Sequence, residues 1–315
     1  MKARKASVCV VGDVHGHLQL ALGMAARWQQ LLHYSFDVVC LCGDVGTFTS
    51  EASIDDATQR HAARNPCELE FLNCWMSSSE PTWISRIFLP LEEGGLGLVC
   101  PIVMIHGNHE DFEFLRSIVP KTQKRPQTPV AVAELPTVDR FGHIHYLPSG
   151  WQCISTSGLV IAGIGGIESK SPHQKYDPMA YLDQGAIRHL QRMPRANLLI
   201  SHQGPATFQP RGGSTTLNAF VTASLAEIWC HGHSTHEDPR IHSSTQCTIL
   251  PLHDVAFHSD KSKPDDPGKD AWAAIEFFSD APANIRRERP ACWPEFQKFK
   301  WISVDNTLVA PILYY

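Results

Sequence analysis

Four times along this 315-residue chain a short apolar run ends in a polar motif, and three of the four motifs carry glycine. Residues 6–11 (Ala-Ser-Val-Cys-Val-Val) lead into Gly12-Asp13-Val14-His15-Gly16, and residues 37–42 into Gly43-Asp44. Residues 101–105 precede Gly107-Asn108-His109-Glu110, and residues 197–200 precede Ser201-His202. Short apolar runs bounded by turn residues read as buried strands. Glycine at the tip lets the backbone turn tightly. Strands that deliver polar residues from their C-terminal ends are the signature of an open α/β sheet, whose ligand crevice lies at those ends. Between the first two runs, Leu20, Met24, Trp28 and Leu31 fall at helical spacing, so the chain opens as β-α-β.

The motifs supply carboxylates, imidazoles and one amide. That set can clamp two divalent metals, which sit about 3.5–4 Å apart and need a shared ligand, a role carboxylates fill well. Asp13-x-His15 puts two ligands close together at the end of an extended segment. A fifth motif, His231-Gly232-His233, follows Trp229-Cys230; a spacing of two keeps both imidazoles on one side of an extended strand end. His236, beside Glu237 and Asp238, is the reserve candidate and otherwise reads as a solvated loop histidine. Each fragment alone is weak: Gly-Asp is an ordinary turn dipeptide, and a lone His202 is more often a hydrogen-bonded residue of core or surface. Five fragments in order are specific.

The set D-x-H, G-D, G-N-H-[DE], H and H-x-H resembles that of the calcineurin-like metallophosphoesterases, over about residues 7–236. The resemblance implies a four-layer α/β/β/α sandwich with mixed sheets and two divalent metals, with Mn expected and Fe, Zn or Mg as alternatives. It assigns Asp13, His15, Asp44 and His233 to one metal and Asp44, Asn108, His202 and His231 to the other, with Asp44 bridging. His109 would contact the phosphate and protonate the leaving oxygen while a metal-bridging hydroxide attacks phosphorus. The usual last motif is Gly-His-x-His, and here Thr235 takes its final position. The Asp-Arg-Gly that protein serine/threonine phosphatases and dinucleoside polyphosphate hydrolases carry after the second motif is missing: Gly43-Asp44-Val45-Gly46 runs into Thr47-Phe48. Residues 144–148, 160–167 and 199–202, with a tryptophan before His-x-His, are more similar to RNA lariat-debranching enzymes. The implied activity is hydrolysis of a phosphodiester of a nucleic acid or nucleotide, the alternative being a phosphomonoesterase, protein phosphatase or dinucleoside polyphosphate hydrolase.

Composition agrees. With 43% hydrophobic residues the chain can bury a large core without staples. No apolar run approaches the ~20 residues that span a bilayer, and the first strand begins too early for a signal peptide to precede it, so no membrane association is expected. Ten scattered cysteines without a C-x-x-C pair suit a reduced, cytoplasmic protein rather than disulfides or a zinc site at Cys40 and Cys42. A net charge of −5 argues against binding nucleic acid chiefly by counterion release. Basic stretches at Lys121, Lys124 and Arg125 and at Arg286, Arg287 and Arg289 read first as solvated proline-rich loops.

The excursion between Asp44 and Asn108 predicts a helix around 68–75 and a turn at 93–97. Residues 119–142 read as a long surface loop, and 143–146, 152–155 and 159–162 as a second, more antiparallel sheet. Gly163-Ile164-Gly165-Gly166 lacks nucleotide-fingerprint spacing and reads as a bend beside the site, opening a loop that runs to Pro178. Residues 1–258 are expected to form the catalytic domain. Residues 259–315, a linker-like 259–270, a strand candidate at 271–278 and an apolar end, are expected to be an elaboration packed on it.

Overall fold

The computed structural model describes residues 4–76, 82–120, 124–169, 177–209, 211–233, 242–243, 247–255, 270–287, 292, 302–304 and 307–309. The first sheet is built from β1 (Arg4–Val11), β2 (Val38–Leu41) and β3 (Ile102–Met104), with α1 (Leu18–Leu32) between β1 and β2. Between β2 and β3 run α2 (Asp56–Ala62), a 3₁₀ turn (Pro66–Leu69), a π-helical stretch (Phe71–Met76) and α3 (Thr82–Phe88). Then follow α4 (Phe112–Ile118), β4 (Val130–Ala131), β5 (Ile144–Tyr146), β6 (Gln152–Ile154), β7 (Val160–Ile164), α5 (Gln184–Leu190), β8 (Ala196–Ser201), α6 (Asn218–Ala223), β9 (Ala226–His231), β10 (His242–Ser243) and β11 (Thr248–Pro251). β12 (Trp272–Phe278) and β13 (Asn284–Arg286) close the order, apart from a small hairpin of Ile302–Val304 with Thr307–Val309.

One sheet has the order β13-β12-β1-β2-β3-β5 and the other β10-β11-β9-β8-β7-β6-β4. Their centres are parallel: β1-β2-β3-β5 in the first, β7-β8-β9-β11 in the second. The strand candidate at 271–278 is β12, which pairs antiparallel with β1 from Arg4 to Val11, so a late segment sits beside the first strand.

Alternation along each strand separates three cores. Val8, Val10, Val38, Cys40 and Val103 meet Cys153, Ile161, Leu198, Ile200, Ile228 and Cys230 between the sheets. Their neighbours Cys9, Val11, Val39, Leu41, Ile102 and Met104 face out against α1 and α3. On the far side Ala162, Ile164, Leu199 and Trp229 pack under α5 and α6. The molecule is therefore the four-layer α/β/β/α sandwich, its strands buried on both faces because helices cover both outer sides.

Several local expectations shift. Leu20, Met24 and Trp28 are buried, but Leu31 is exposed, because α1 ends at Leu32 with His33 left-handed (φ 55°). The helix around 68–75 is a 3₁₀ turn followed by a π-helical stretch. The segment 143–146 joins the first sheet, parallel to β3, and Ile144 and Tyr146 pack into the core beneath α1, which the alternation of so short a run cannot assign to one sheet or the other. The second sheet is correspondingly less antiparallel than its sequence suggests, with only β6–β7 and β10–β11 paired that way. All ten cysteines are free, Cys40 and Cys42 buried in the inter-sheet core where burial pushes both thiols well up. No described helix is long and apolar enough to cross a membrane. The linker-like 259–269 and the last residues, 310–315, lie outside the described residues.

Leu198 is fully buried between the sheets. Leu198→Ala is expected to lower stability by about 2–5 kcal/mol, since a cavity adds to the lost transfer energy. Denaturant unfolding checks it.

Candidate metal centre

Both parallel sheet centres end at the same edge of the sandwich, and the loops that leave them interlock. The backbone N–H of His15 donates to the Asp44 carbonyl at 2.6 Å and that of Val14 to Gly43 at 3.2 Å, so the β1 and β2 loops are joined directly. His15 and Asp44 are both left-handed (φ 43° and 47°) without being glycine. Such backbone costs about 1–3 kcal/mol each and clusters at functional sites.

The carboxylates are fixed by backbone amides. Asp44 Oδ1 accepts from the N–H groups of Asn108 (2.7 Å) and His109 (2.9 Å). That leaves Oδ2 facing His15 Nε2 at 3.8 Å and His202 Nε2 at 3.6 Å. Asp13 accepts from the N–H of His233 through both oxygens (3.0 and 2.8 Å). The contacts need bare backbone at two glycines: a Cβ on Gly107 would stand 2.0 Å from Asp44 Oδ1, and one on Gly232 would stand 1.8 Å from Asp13 Oδ1. Glu110 accepts from Val45 N–H (2.9 Å), Thr47 N–H (2.8 Å) and the Thr47 hydroxyl (2.7 Å), holding the chain just past Asp44.

Among the described residues two sets of donor atoms converge, Asp13–His15–Asp44 and Asp13–His202–His233. His202, fully buried, donates from Nδ1 to the Cys42 carbonyl at 3.0 Å. In the neutral ring that bond turns the Nε2 lone pair toward Asn108 Oδ1 at 3.1 Å and Asp44 Oδ2 at 3.6 Å. Three acceptors then face one another with no proton among them, an arrangement that a cation satisfies. The donor set of carboxylate, imidazole and amide oxygen therefore fits divalent metal ions. Without a cation the charges balance internally. Burial of His202 is overridden by Asp44 and Asp13, which raise it to about 10, and the same histidines hold Asp44 well below the usual carboxylate range despite its burial.

Asp13, His15, Asp44, Asn108, His109, His202 and His233 are thus brought to one place. His231 belongs to neither donor set. Strand β9 ends at His231, and His233 is left-handed (φ 48°), so the chain is not extended through His233. The His231 ring is buried, Nδ1 donates to the Gly232 carbonyl at 3.0 Å, and Gly204 packs closely on it. His233 is held from its carbonyl, which accepts from Gln209 Nε2 at 2.8 Å. His236 lies outside the described residues.

Two groups that sequence reasoning missed come from the excursion after β2. His109 Nδ1 donates to Asp55 Oδ2 at 3.0 Å, and Asp55 also caps α2 through the N–H groups of Ala57 and Thr58. Burial opposes charge on His109, but the Asp55 hydrogen bond and the Asp44 charge outweigh it and raise the ring to about 9. Glu68 is buried near His15 and His109, where desolvation pushes its carboxyl to about 7. The only sequence trace of Asp55 is a helix-cap pattern, which says nothing about an imidazole 54 positions away. The glycine run also gains a purpose: a Cβ on Gly165 would stand 2.4 Å from the His106 ring, whose Nδ1 bonds the Tyr146 hydroxyl at 2.7 Å.

The model of the calcineurin-like phosphoesterase family matches residues 6–237, and the chain belongs to that family. The protein is accordingly a metal-dependent phosphoester hydrolase. Among curated proteins none matches it in sequence. Similar solved structures include TT1561 of Thermus thermophilus, with 10% identity and a TM-score of 0.47 over 90% of this chain and 99% of that one. GAP50, described as the anchor in the inner membrane complex of Plasmodium, gives 10% and 0.45 over 89% and 83%. A putative 5'-nucleotidase from Staphylococcus aureus gives 13% and 0.39 over 89% and 52%.

His233→Ala is expected to lower metal affinity by roughly tenfold or more, the usual loss when a site's geometry is opened. His231→Ala is expected to leave metal content unchanged. Elemental analysis after Mn loading and dialysis separates the two, and equal losses would put His231 among the ligands.

Proposed function

We propose that the protein hydrolyses a phosphodiester of a nucleic acid or nucleotide, using two divalent metals, Mn first among the candidates, held by Asp13, His15, Asp44, Asn108, His202 and His233. The observation that carries this reading is the pairing of a metal-ligand cluster with an imidazole that is not part of it: His109 follows the ligand Asn108 yet bonds Asp55. Bound there, the metals supply positive charge against the phosphate oxygens and a lowered pKa for the attacking water.

The chain's own groups supply the rest. Asp55 holds the Nδ1–H of His109, which fixes the ring and leaves Nε2 to deliver a proton to the departing oxygen. The Asp55 hydrogen bond favours the protonated ring of His109, the form that can give a proton. Burial of Asp13, Asp44 and His202 keeps bulk water from competing for the phosphate and strengthens each electrostatic contact. The absence of Asp-Arg-Gly after Asp44 and the similarity of residues 144–148, 160–167 and 199–202 to lariat-debranching enzymes favour a diester over the phosphomonoesterase, protein phosphatase or dinucleoside polyphosphate hydrolase alternative. The ten free cysteines support a reducing compartment, the cytoplasm.

Metal-stripped protein assayed with a panel of chromogenic mono- and diesters, with Mn, Zn, Fe or Mg restored, is expected to prefer diesters strongly. A preference for monoesters would retire the reading. His109→Ala is expected to keep its metals but lose roughly 10²–10⁴-fold in turnover on esters with poor leaving groups, and far less with nitrophenolate, which departs without a proton. Asp55→Asn should show the same leaving-group dependence at smaller size; uniform losses across leaving groups would instead assign both residues to phosphate binding.

A further inference from the structure

The surface beyond His109 carries a run of neighbouring hollows. One reaches Asn108 and Asp55 and ends at Arg116 of α4. Arg116 also lines the next, a cavity of about 980 Å³ between α4 and the start of α5, floored by His106 and Trp151. Lys124 and Arg125 line that cavity and also the third hollow, of about 380 Å³, whose other walls are Arg188, His189 and Arg192. Shared wall residues, Arg116 between the first two and Lys124 and Arg125 between the last two, place the three side by side from the metal-ligand loop outward.

The charge along this path changes sign. The first hollow is rich in carboxylates, as the approach to a cation site is. The third has Lys124, Arg125, Arg188 and Arg192 in its walls and no carboxylate. Asp183 pairs with Arg125, but its other oxygen caps α5 through the Gly185 and Ala186 N–H groups. Lys124, Arg188 and Arg192 have no ion-pair partner among the described residues, and all three are exposed. Arg188 lies in the last turn of α5 and Arg192 just past its end, so two like charges stand close together in sequence on the same wall. In a chain of net charge −5, four cations around one hollow are a local concentration that folding does not require.

We propose that this basic hollow binds the phosphate backbone of a single-stranded nucleic acid whose scissile phosphate lies at the Asp44 centre. The inference rests on the phosphodiesterase reading and extends it to a polymeric substrate. A mononucleotide at the centre would not reach Arg188 and Arg192 through an intervening cavity of about 980 Å³. A duplex is too wide and stiff to follow the path, whereas a flexible strand can track a basic groove as it does in other single-strand binders. The proline-rich stretch holding Lys124 and Arg125 is, on this view, part of a substrate path instead of a merely solvated loop.

The test separates binding from chemistry. Fluorescence anisotropy of a labelled 12-nucleotide oligouridylate, with metal-stripped protein in chelator so that nothing is cleaved, is compared between the unmodified chain and Arg188→Glu/Arg192→Glu, with Arg188→Gln/Arg192→Gln as the milder form. The expected result is at least tenfold weaker binding in the charge-reversed protein, an intermediate loss in the glutamine form, and a salt dependence shallower by about 1.4 in log–log slope, two phosphate contacts at about 0.7 each. Melting temperature and Mn-supported turnover of bis-nitrophenyl phosphate should not change. Equal affinity and slope in all three proteins would overturn the proposal, as would tighter binding of the matching duplex than of the single strand. If the oligonucleotide result holds while the small diester is not hydrolysed by any of the proteins, the groove stands and the phosphodiesterase reading falls.

Discussion

The Asp44 carboxylate is the joint on which the site depends. One oxygen is fastened by two backbone N–H groups from the β3 loop, its own carbonyl accepts from the β1 loop, and its free oxygen lies between His15 and His202. Three loops from one sheet and one from the other therefore share a single side chain. This closeness needs Gly107, because any Cβ there would occupy the place of Asp44 Oδ1. It also needs left-handed backbone at His15 and Asp44, which only a surrounding structure that over-determines it can hold.

What over-determines it is the packing behind. Each motif follows a strand buried on both faces, and the inter-sheet core locks the two sheets in register so that their loops arrive together. β12 contributes at a distance by pairing with β1 along its length. Val255, just past β11, donates its N–H to the Asp13 carbonyl, and the His253 carbonyl packs against Gly12, which leaves no room for a side chain there. The site is thus also supported by the segments around β11 and β12, which lie outside the five motifs.

The excursion between β2 and β3 plays the second part. It places Asp55 on His109 and buries Glu68 nearby, so the His109 imidazole is tuned by a segment distinct from the loops that carry the donor sets. The separation is physically useful. The residues of the two donor sets stand in the loops after the strands, while the His109 imidazole is held by the residue that caps α2.

The sequence by itself determined the strand-and-motif grammar, the identity of Asp13, His15, Asp44, Asn108, His109 and His202 as candidates, and the first helix, because local hydrophobic period and turn chemistry are written in adjacent residues. It also marked 271–278 as a strand, though not that this strand lies beside the first. Only the tertiary structure grouped His233, with His202, beside Asp13, on a left-handed residue after a strand end that alternation along a strand does not describe. It alone placed 143–146 in the first sheet and brought Asp55 to His109 and Lys124 to Arg188. Those pairings span tens of positions, and no local pattern encodes a contact whose two halves are shaped separately by capping and solvation and meet only when the sheets pack.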